Sequence, residues 1–512
     1  MSITTRREVL GGFARIGVGA VGFALADRLG FAGALSAPRA SFGRERLRFG
    51  ALDPLVDWLQ ATPADALVPQ AVAKLRNGTS LADLVGAGAL ANARALGGTN
   101  YNGYHALMAM MPSYEMAAQM PAPYGPLPVL KVLHRNARFI QAVGRAEEDA
   151  LEPLEGATAS GDPAALVESV RARDLPRAER DLAALEQRSA ARAYEDLQVV
   201  VRDDMNVHRV VLAWRAYDLL RLTGQDQATT MLRQSVRFCV DEDGTRAKRG
   251  QGPDEIVALL PKLLEEHHLE GRERGTREAD EAWIERLADT VFSADRPAAA
   301  RAAAAALAEG YDPEAVGAAL SLAATRLLLF DPGLAQEAPG KPVGSVHGAS
   351  IGVHASDSVN AWRHIARVGG ARNAFASLIA GAYHTAGQSG RVGAHAHDQD
   401  AEPCAKSDPG ELLREIDGRV RGRDQKSACS AARRYCALGH APEDLFAALL
   451  PHAVSEDGAL HAEKYFRTAQ DEHAIARPAH RPQYLVALTR VMASHYGFPA
   501  PGCEEARKLL AG

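Results

Sequence analysis

Aromatic residues make up only 6% of this chain, and strict alternation of apolar and polar positions is nearly absent, so nothing in it favours β-sheet layers. Cysteine is scarce too. Cys239, Cys404, Cys429, Cys436 and Cys503 are too few and too scattered for a disulfide framework, and an odd number leaves at least one thiol unpaired. No CxxC or CxxCH occurs, which excludes a zinc ribbon and covalently attached haem; Cys429 and Cys436 share a helical face with His440 and read as a buried thiol cluster. Neither sign of charge dominates, with 58 Lys and Arg against 63 Asp and Glu and a net charge of -5. No basic footprint for nucleic acid results. The chain also lacks a P-loop, a Gly-x-Gly-x-x-Gly after a strand and a Gly-x-Ser-x-Gly elbow, so nucleotide binding and α/β-hydrolase chemistry have no support.

What is present is helical periodicity. Across 512 residues, 47% hydrophobic and 24% charged, apolar positions recur at helical spacing in Ala66 to Leu75, Leu81 to Leu96, His105 to Met120, Leu127 to Val143 and Leu166 to Leu185, and alanine crowds Ala298 to Leu307. The expected class is all-α. Three segments, Gly252 to Leu260, Tyr311 to Leu320 and Ala441 to Leu450, share a turn, a proline at the first helical position, an acidic first turn and an apolar stripe; Gly78 to Leu90 is a degenerate copy with Ser80 in place of the proline. Helix, short turn, helix at recurring intervals predicts helical-hairpin repeats forming an α-solenoid or α/α-toroid. The alternation of Gly/Ala-rich copies with copies ending Ala-Leu-Leu-Pro suggests two tandem halves, 50–292 and 296–512. The segments Thr158 to Pro176 and Gln388 to Pro409 are expected to be loops.

Seventeen histidines stand on this scaffold, and several follow the repeat. His105 comes after the first copy, His208 opens a helix before the second, His347 and His354 follow the third and His461 the fourth. Successive helices of a curved stack present equivalent faces to one concave surface, so these imidazoles are expected to converge. Asp204 precedes His208 by the i, i+4 spacing at which a carboxylate and an imidazole share a metal or fix a tautomer. The stretch Gly344 to Gly370, read as one helix, would place His347 and His354 on one face among small residues, with Asn360 beyond. The candidate metal ligands are therefore His105, Asp204, His208, His354 and His461, and the candidate proton-transfer residues are His347 and Asn360. Imidazoles with one carboxylate suit a transition metal, iron ahead of zinc or copper. His395 and His397 with Asp398 and Asp400 are read instead as a solvated loop tip, and His384 as a polar group beside small residues.

The N-terminus, Thr5-Arg6-Arg7-Glu8-Val9-Leu10 followed by a Gly/Ala-rich run from Gly11 to Ala37, resembles a twin-arginine export signal, with small residues at Ala24-Leu25-Ala26 and Ala32-Gly33-Ala34 as cleavage candidates. The resemblance implies residues 1–37 as a signal, the twin-arginine machinery as a partner, export in the folded state and a periplasmic or extracellular address. Arg15, Asp27 and Arg28 interrupt the run, so a permanent membrane span is not expected. With its histidines spread along helical repeats, the chain resembles questin-oxidase-like proteins and exported all-α families in architecture. Three functions stay open: an exported metal-dependent enzyme acting on a small molecule or carbohydrate, oxidoreductase ahead of hydrolase; a toroidal polysaccharide lyase using His, Asn, Tyr and Arg; and a non-enzymatic α-solenoid that holds a partner.

Overall fold

Short polar side chains and prolines set where the helices begin. Asp312 accepts from the Glu314 amide and Pro313 follows as the first helical residue; Ser80 accepts from Asp83, Asn100 from Gly103, Asn206 from His208 and Ser350 from Val353. Each side chain satisfies an amide that the helix start leaves without a partner. The chain is all-α: a computed structural model describes residues 45–154, 161–293, 295–339, 341–346 and 350–512, and no strand longer than an isolated bridge occurs among them. The expected signal at 1–37 lies outside the described residues, as does His347. No described helix is long and apolar enough to cross a membrane.

The helices that build the centre, numbered α1 to α11 in chain order, are α1 (Leu81–Leu96), α2 (Tyr101–Ala117), α3 (Leu127–Ala142), α4 (Val207–Asp218), α5 (Ala228–Lys248), α6 (Pro313–Leu329), α7 (Ile351–Val368), α8 (Ala371–Ala386), α9 (Pro442–Ser455), α10 (His461–Ile475) and α11 (Arg481–His495). Four of them close a circuit: α2 packs on α4, α4 on α7, α7 on α10 and α10 back on α2. A second layer surrounds the four. Helices α1 and α3 back α2, α5 backs α4, α6 and α8 back α7, and α9 and α11 back α10. Helices on both sides of residue 292 thus contribute to one inner bundle, with α2 and α4 before it and α7 and α10 after it.

Small residues let the layers approach. Gly352 in the first turn of α7 lies so close to α6 that a Cβ there would stand 2.1 Å from Cα of Leu328. Backbone cannot rotate out of such a contact as a side-chain tip can. Gly352→Ala is therefore expected to cost about 2–3 kcal/mol through overpacking, measured as a lower urea midpoint with an unchanged slope.

Several boundaries depart from the sequence expectation. The stretch from Gly344 is not one helix: α7 begins at Ile351, with Ser350 as its N-cap and Asp331 Oδ2 accepting from the Ile351 and Gly352 amides at 3.1 and 3.4 Å. The same-face argument that linked His347 to His354 therefore does not apply. Thr158 to Pro176 is not a loop throughout, because Asp162 and Pro163 act as N-cap and first residue of a helix, Pro163–Arg171. In the copy at Gly252 the helix starts at Ile256, after the proline rather than on it. All five cysteines are free, and Cys429 is buried with its thiol donating to the Val486 carbonyl at 3.7 Å.

A four-helix histidine centre

One histidine comes from each helix of the inner circuit, and each stands near the helix start: His105 is the fifth residue of α2, His208 the second of α4, His354 the fourth of α7 and His461 the first of α10. All four are buried or nearly so. Ring centroids lie 4.7 Å apart for His105 and His208, 5.1 Å for His105 and His461, 5.5 Å for His354 and His461, and 5.7 Å for His208 and His354. One nitrogen each of His105, His208 and His461 lies within 4.8 Å of the others, near enough for a single ion to reach all three. His354 completes the ring of imidazoles just outside that set.

Local chemistry prepares these rings as ligands. His105 Nδ1 lies 2.7 Å from the Tyr101 carbonyl, which can only accept, so in the neutral ring Nδ1 carries the proton and Nε2 keeps its lone pair. That Nε2 is buried and has no hydrogen-bond partner, and the same holds for Nε2 of His354. A hydrogen bond from the far nitrogen to a carbonyl is what fixes a metal-binding imidazole in orientation. Burial pushes the His105 and His208 pKa well below the usual imidazole range and that of His354 to about 3, with the Lys464 ammonium acting in the same direction on all three. Burial thus favours the neutral form of these three rings, the form that ligation requires. The residues present fit a metal ion.

The centre sits one side chain below the surface. Tyr101, 43% exposed, packs its ring at 4.5 Å from His105 and 5.9 Å from His208, while the buried Tyr104 ring lies 5.0 and 5.3 Å from the same two. Both tyrosines lie within four residues of His105 in the sequence, where only the polysaccharide-lyase alternative gave tyrosine a part.

The other expected site residues fall elsewhere. Asp204 is not brought to the imidazoles: its carboxylate binds Arg246 at 2.6 Å. The i, i+4 argument required one helix through both residues, whereas α4 begins only at Val207 with Asn206 as cap. Asn360 also points away. Six residues past His354 corresponds to about 240° around a helix, and its amide donates to Glu472 at 2.9 Å, inside a network in which Arg363 pairs with Glu472 and Glu314, and Arg367 with Glu314. His364 belongs to that network through Asp471 at 3.2 Å and stacks on Trp214 at 4.4 Å. These groups clamp α6, α7 and α10 together well along the helices from the histidines. His384 accepts from the Trp362 indole at 3.4 Å and is buried in the second layer.

Sequence reasoning missed Lys464, one turn beyond His461 on α10, and gave no role to Asp357, one turn beyond His354 on α7. Both are buried, and Thr468 donates to Asp357 at 2.8 Å. Glu463, fully buried, pairs with the fully buried Lys131 at 2.6 Å.

Buried neutral histidines away from the centre make stability depend on pH. Burial lowers His384 to about 4, helped by Arg296, and His495 to about 3. An unfolded chain takes up these protons near pH 6.5 and the folded one only near pH 3 to 4, so the contribution is complete above 6.5 and lost as pH falls toward 3. Each is expected to remove about 1.4 kcal/mol per pH unit within that window. Urea midpoints at pH 7, 5.5 and 4.5 measure the slope, and His495→Gln is expected to flatten it.

No protein family matches this chain, and no characterised protein or solved structure does either. Function is therefore argued from these residues alone. The arrangement defines the class of the site, a buried polyhistidine centre at the convergent starts of four helices.

Proposed function

We propose that the protein is a metal-dependent enzyme, an oxidoreductase ahead of a hydrolase, whose ion is held by His105, His208 and His461 with His354 beside them. The observation that carries this reading is the meeting of three buried imidazoles within 4.8 Å, one of them with its tautomer set by a backbone carbonyl. A structural core has no use for the Nε2 lone pairs of His105 and His354 left in an apolar interior, since a buried polar atom without a partner costs about 1–3 kcal/mol. Nitrogen ligands without thiolate suit iron, zinc or copper, and iron is placed first. Such an ion supplies Lewis acidity or electron transfer to a bound small molecule. The chain's own residues hold the imidazoles neutral and oriented, and Tyr101 and Tyr104 cover them from bulk water.

Export through the twin-arginine route fits an enzyme that receives its ion before leaving the cytoplasm, and the proposal includes it. The test is elemental analysis of the purified folded protein: about one equivalent of a first-row transition metal supports the reading, and none overturns it. A second reading, proton transfer from a uronate in a polysaccharide lyase, draws on the packing of Tyr104 against His105 and His208. Metal-independent cleavage of uronic-acid polymers would put it first.

A further inference from the structure

Two helical hairpins of this chain close with the same turn. Helix Pro163–Arg171 runs into Arg171-Ala172-Arg173-Asp174 and helix Pro409–Arg421 into Arg421-Gly422-Arg423-Asp424. Arg173 and Arg423 both take the left-handed conformation, at φ 61° and 58°, and the aspartate after each caps the next helix, Asp174 accepting from the Arg177 amide and Asp424 from that of Ser427. Each hairpin packs on a helix that backs a histidine helix, the first on α5 and the second on α11. The approaches to the histidines correspond as well: Arg202, Asp203 and Asp204 stand six, five and four residues before His208, as Ser455, Glu456 and Asp457 do before His461.

The second copy is filled by its own chain. Residues 496–500, directly after α11, cross the approach to His461: the Asp457 amide donates to the Phe498 carbonyl at 2.5 Å, the Ala500 amide to the Ser455 carbonyl at 2.8 Å, and Glu456 Oε2 accepts from the Gly497 and Phe498 amides at 2.9 and 2.7 Å. The Arg423 guanidinium lies 5.0 Å from the centre of the Phe498 ring, and that of Arg421 5.7 Å from the Tyr496 ring. Backbone pairing holds this segment, and two arginines cover its aromatic side chains.

The first copy is open. Helix α5 has 21 residues against 15 in α11, and the segment after it folds back on its own helix end, with the Gln251 amide donating to the Arg246 carbonyl at 3.0 Å and Arg246 donating to the Gly252 carbonyl at 2.8 Å. A cavity of about 350 Å3 is left, with Arg171, Arg173 and Asp203 on one side and Arg246, Gln251 and Val257 on the other. Ligand pockets start at roughly 300 Å3. Among the described residues nothing accepts from the Asp204 amide or donates to the Arg202 carbonyl, the two groups whose counterparts are paired in the second copy. The exposed Arg173 side chain makes no ion pair, hydrogen bond or ring contact among the described residues. Asp203 binds Arg171 at 2.8 Å through both oxygens, each of which keeps a further lone pair for an amide.

We infer that this groove receives an extended peptide segment of a partner protein that carries an aromatic residue, laid across residues 202–204 as residues 496–500 lie across residues 455–457. Its backbone joins the Asp204 amide and the Arg202 carbonyl, its amides meet the Asp203 carboxylate, and its ring lies against Arg173. Main-chain bonds supply the hold and the aromatic contact the selectivity. The inference stands independently of the metal reading.

The test follows a dye-labelled peptide Tyr-Gly-Phe-Pro-Ala, the sequence of residues 496–500, by fluorescence anisotropy as full-length protein is added. The peptide is expected to bind, and a Tyr-Gly-Ala-Pro-Ala peptide about tenfold or more weakly. Arg173→Gly keeps the fold, because glycine adopts positive φ without strain, and is expected to weaken binding about two- to fivefold. Arg423→Gly is expected to leave it unchanged. Absence of binding overturns the inference, and so does equal binding of the peptide without phenylalanine or an affinity that Arg173→Gly does not alter. Binding that depends on Arg423 in place of Arg173 means that the peptide displaces the chain's own segment from the second copy, which overturns it too.

Discussion

His105→Ala with His208→Ala in one chain is expected to lower metal affinity by at least about 100-fold, more than loss of outer-sphere support alone usually costs, and to abolish turnover, while far-UV circular dichroism stays unchanged. Two of three nitrogens within reach of a common ion disappear. The stability of the metal-free protein gives the sharper distinction. If the imidazoles were structural, removing two buried rings would destabilise the apo form by about 2–4 kcal/mol through cavities. If they are ligands, the apo form already carries the cost of the His105 lone pair in an apolar interior, and relief of that cost offsets much of the cavity. The apo double variant is then expected to match apo wild type within about 1 kcal/mol, while the metal-loaded wild type unfolds at distinctly higher urea. A large apo destabilisation with no change in metal content would make the histidines core residues.

The convergence of His105, His208, His354 and His461 was legible in part because each lies within the first five residues of its helix, which keeps the four side chains within about a turn and a half of one end of the bundle. That regularity survives without knowledge of packing. What did not survive was any argument that assumed a helix through its own N-cap. Asp204 and His208 straddle Asn206, and His347 and His354 straddle Ser350, so spacings that would be meaningful inside a helix carried no geometry there. Asn360 failed for a different reason: its acceptors, Glu472 and Asp471, lie more than a hundred residues away in sequence and on another helix. Lys464 was hidden by its type. In His-Ala-Glu-Lys-Tyr-Phe nothing marks Glu463 and Lys464 as interior residues, and only the circuit of four helices reveals both as buried. Charged residues almost never sit inside without a partner, so residue type alone argued against the burial of both.

The Glu463 partner supplies the second large effect. Lys131 reaches from α3 into the turn before α10, donating to the carbonyls of Ala453 and Glu456 at 3.0 and 2.6 Å and pairing with Glu463, and neither charged side chain touches solvent. His461 begins α10 two residues before Glu463, directly after Ala459 and Leu460, which both hold positive φ. The ion pair therefore anchors the one helix start in the centre that lacks a side-chain cap. Lys131→Met leaves a carboxylate and two carbonyls buried without their cation and is expected to cost about 3–5 kcal/mol. Metal affinity should fall as well, because His461 is no longer held in register. Adding Glu463→Gln removes the stranded charge, so the double variant is expected to recover more than half of the lost stability while His461 stays poorly positioned and metal binding recovers less. Urea denaturation and metal titration on the two single variants and the double one separate these contributions. Stability and metal affinity that recover in parallel would mean that the pair supports the fold as a whole and does not position His461.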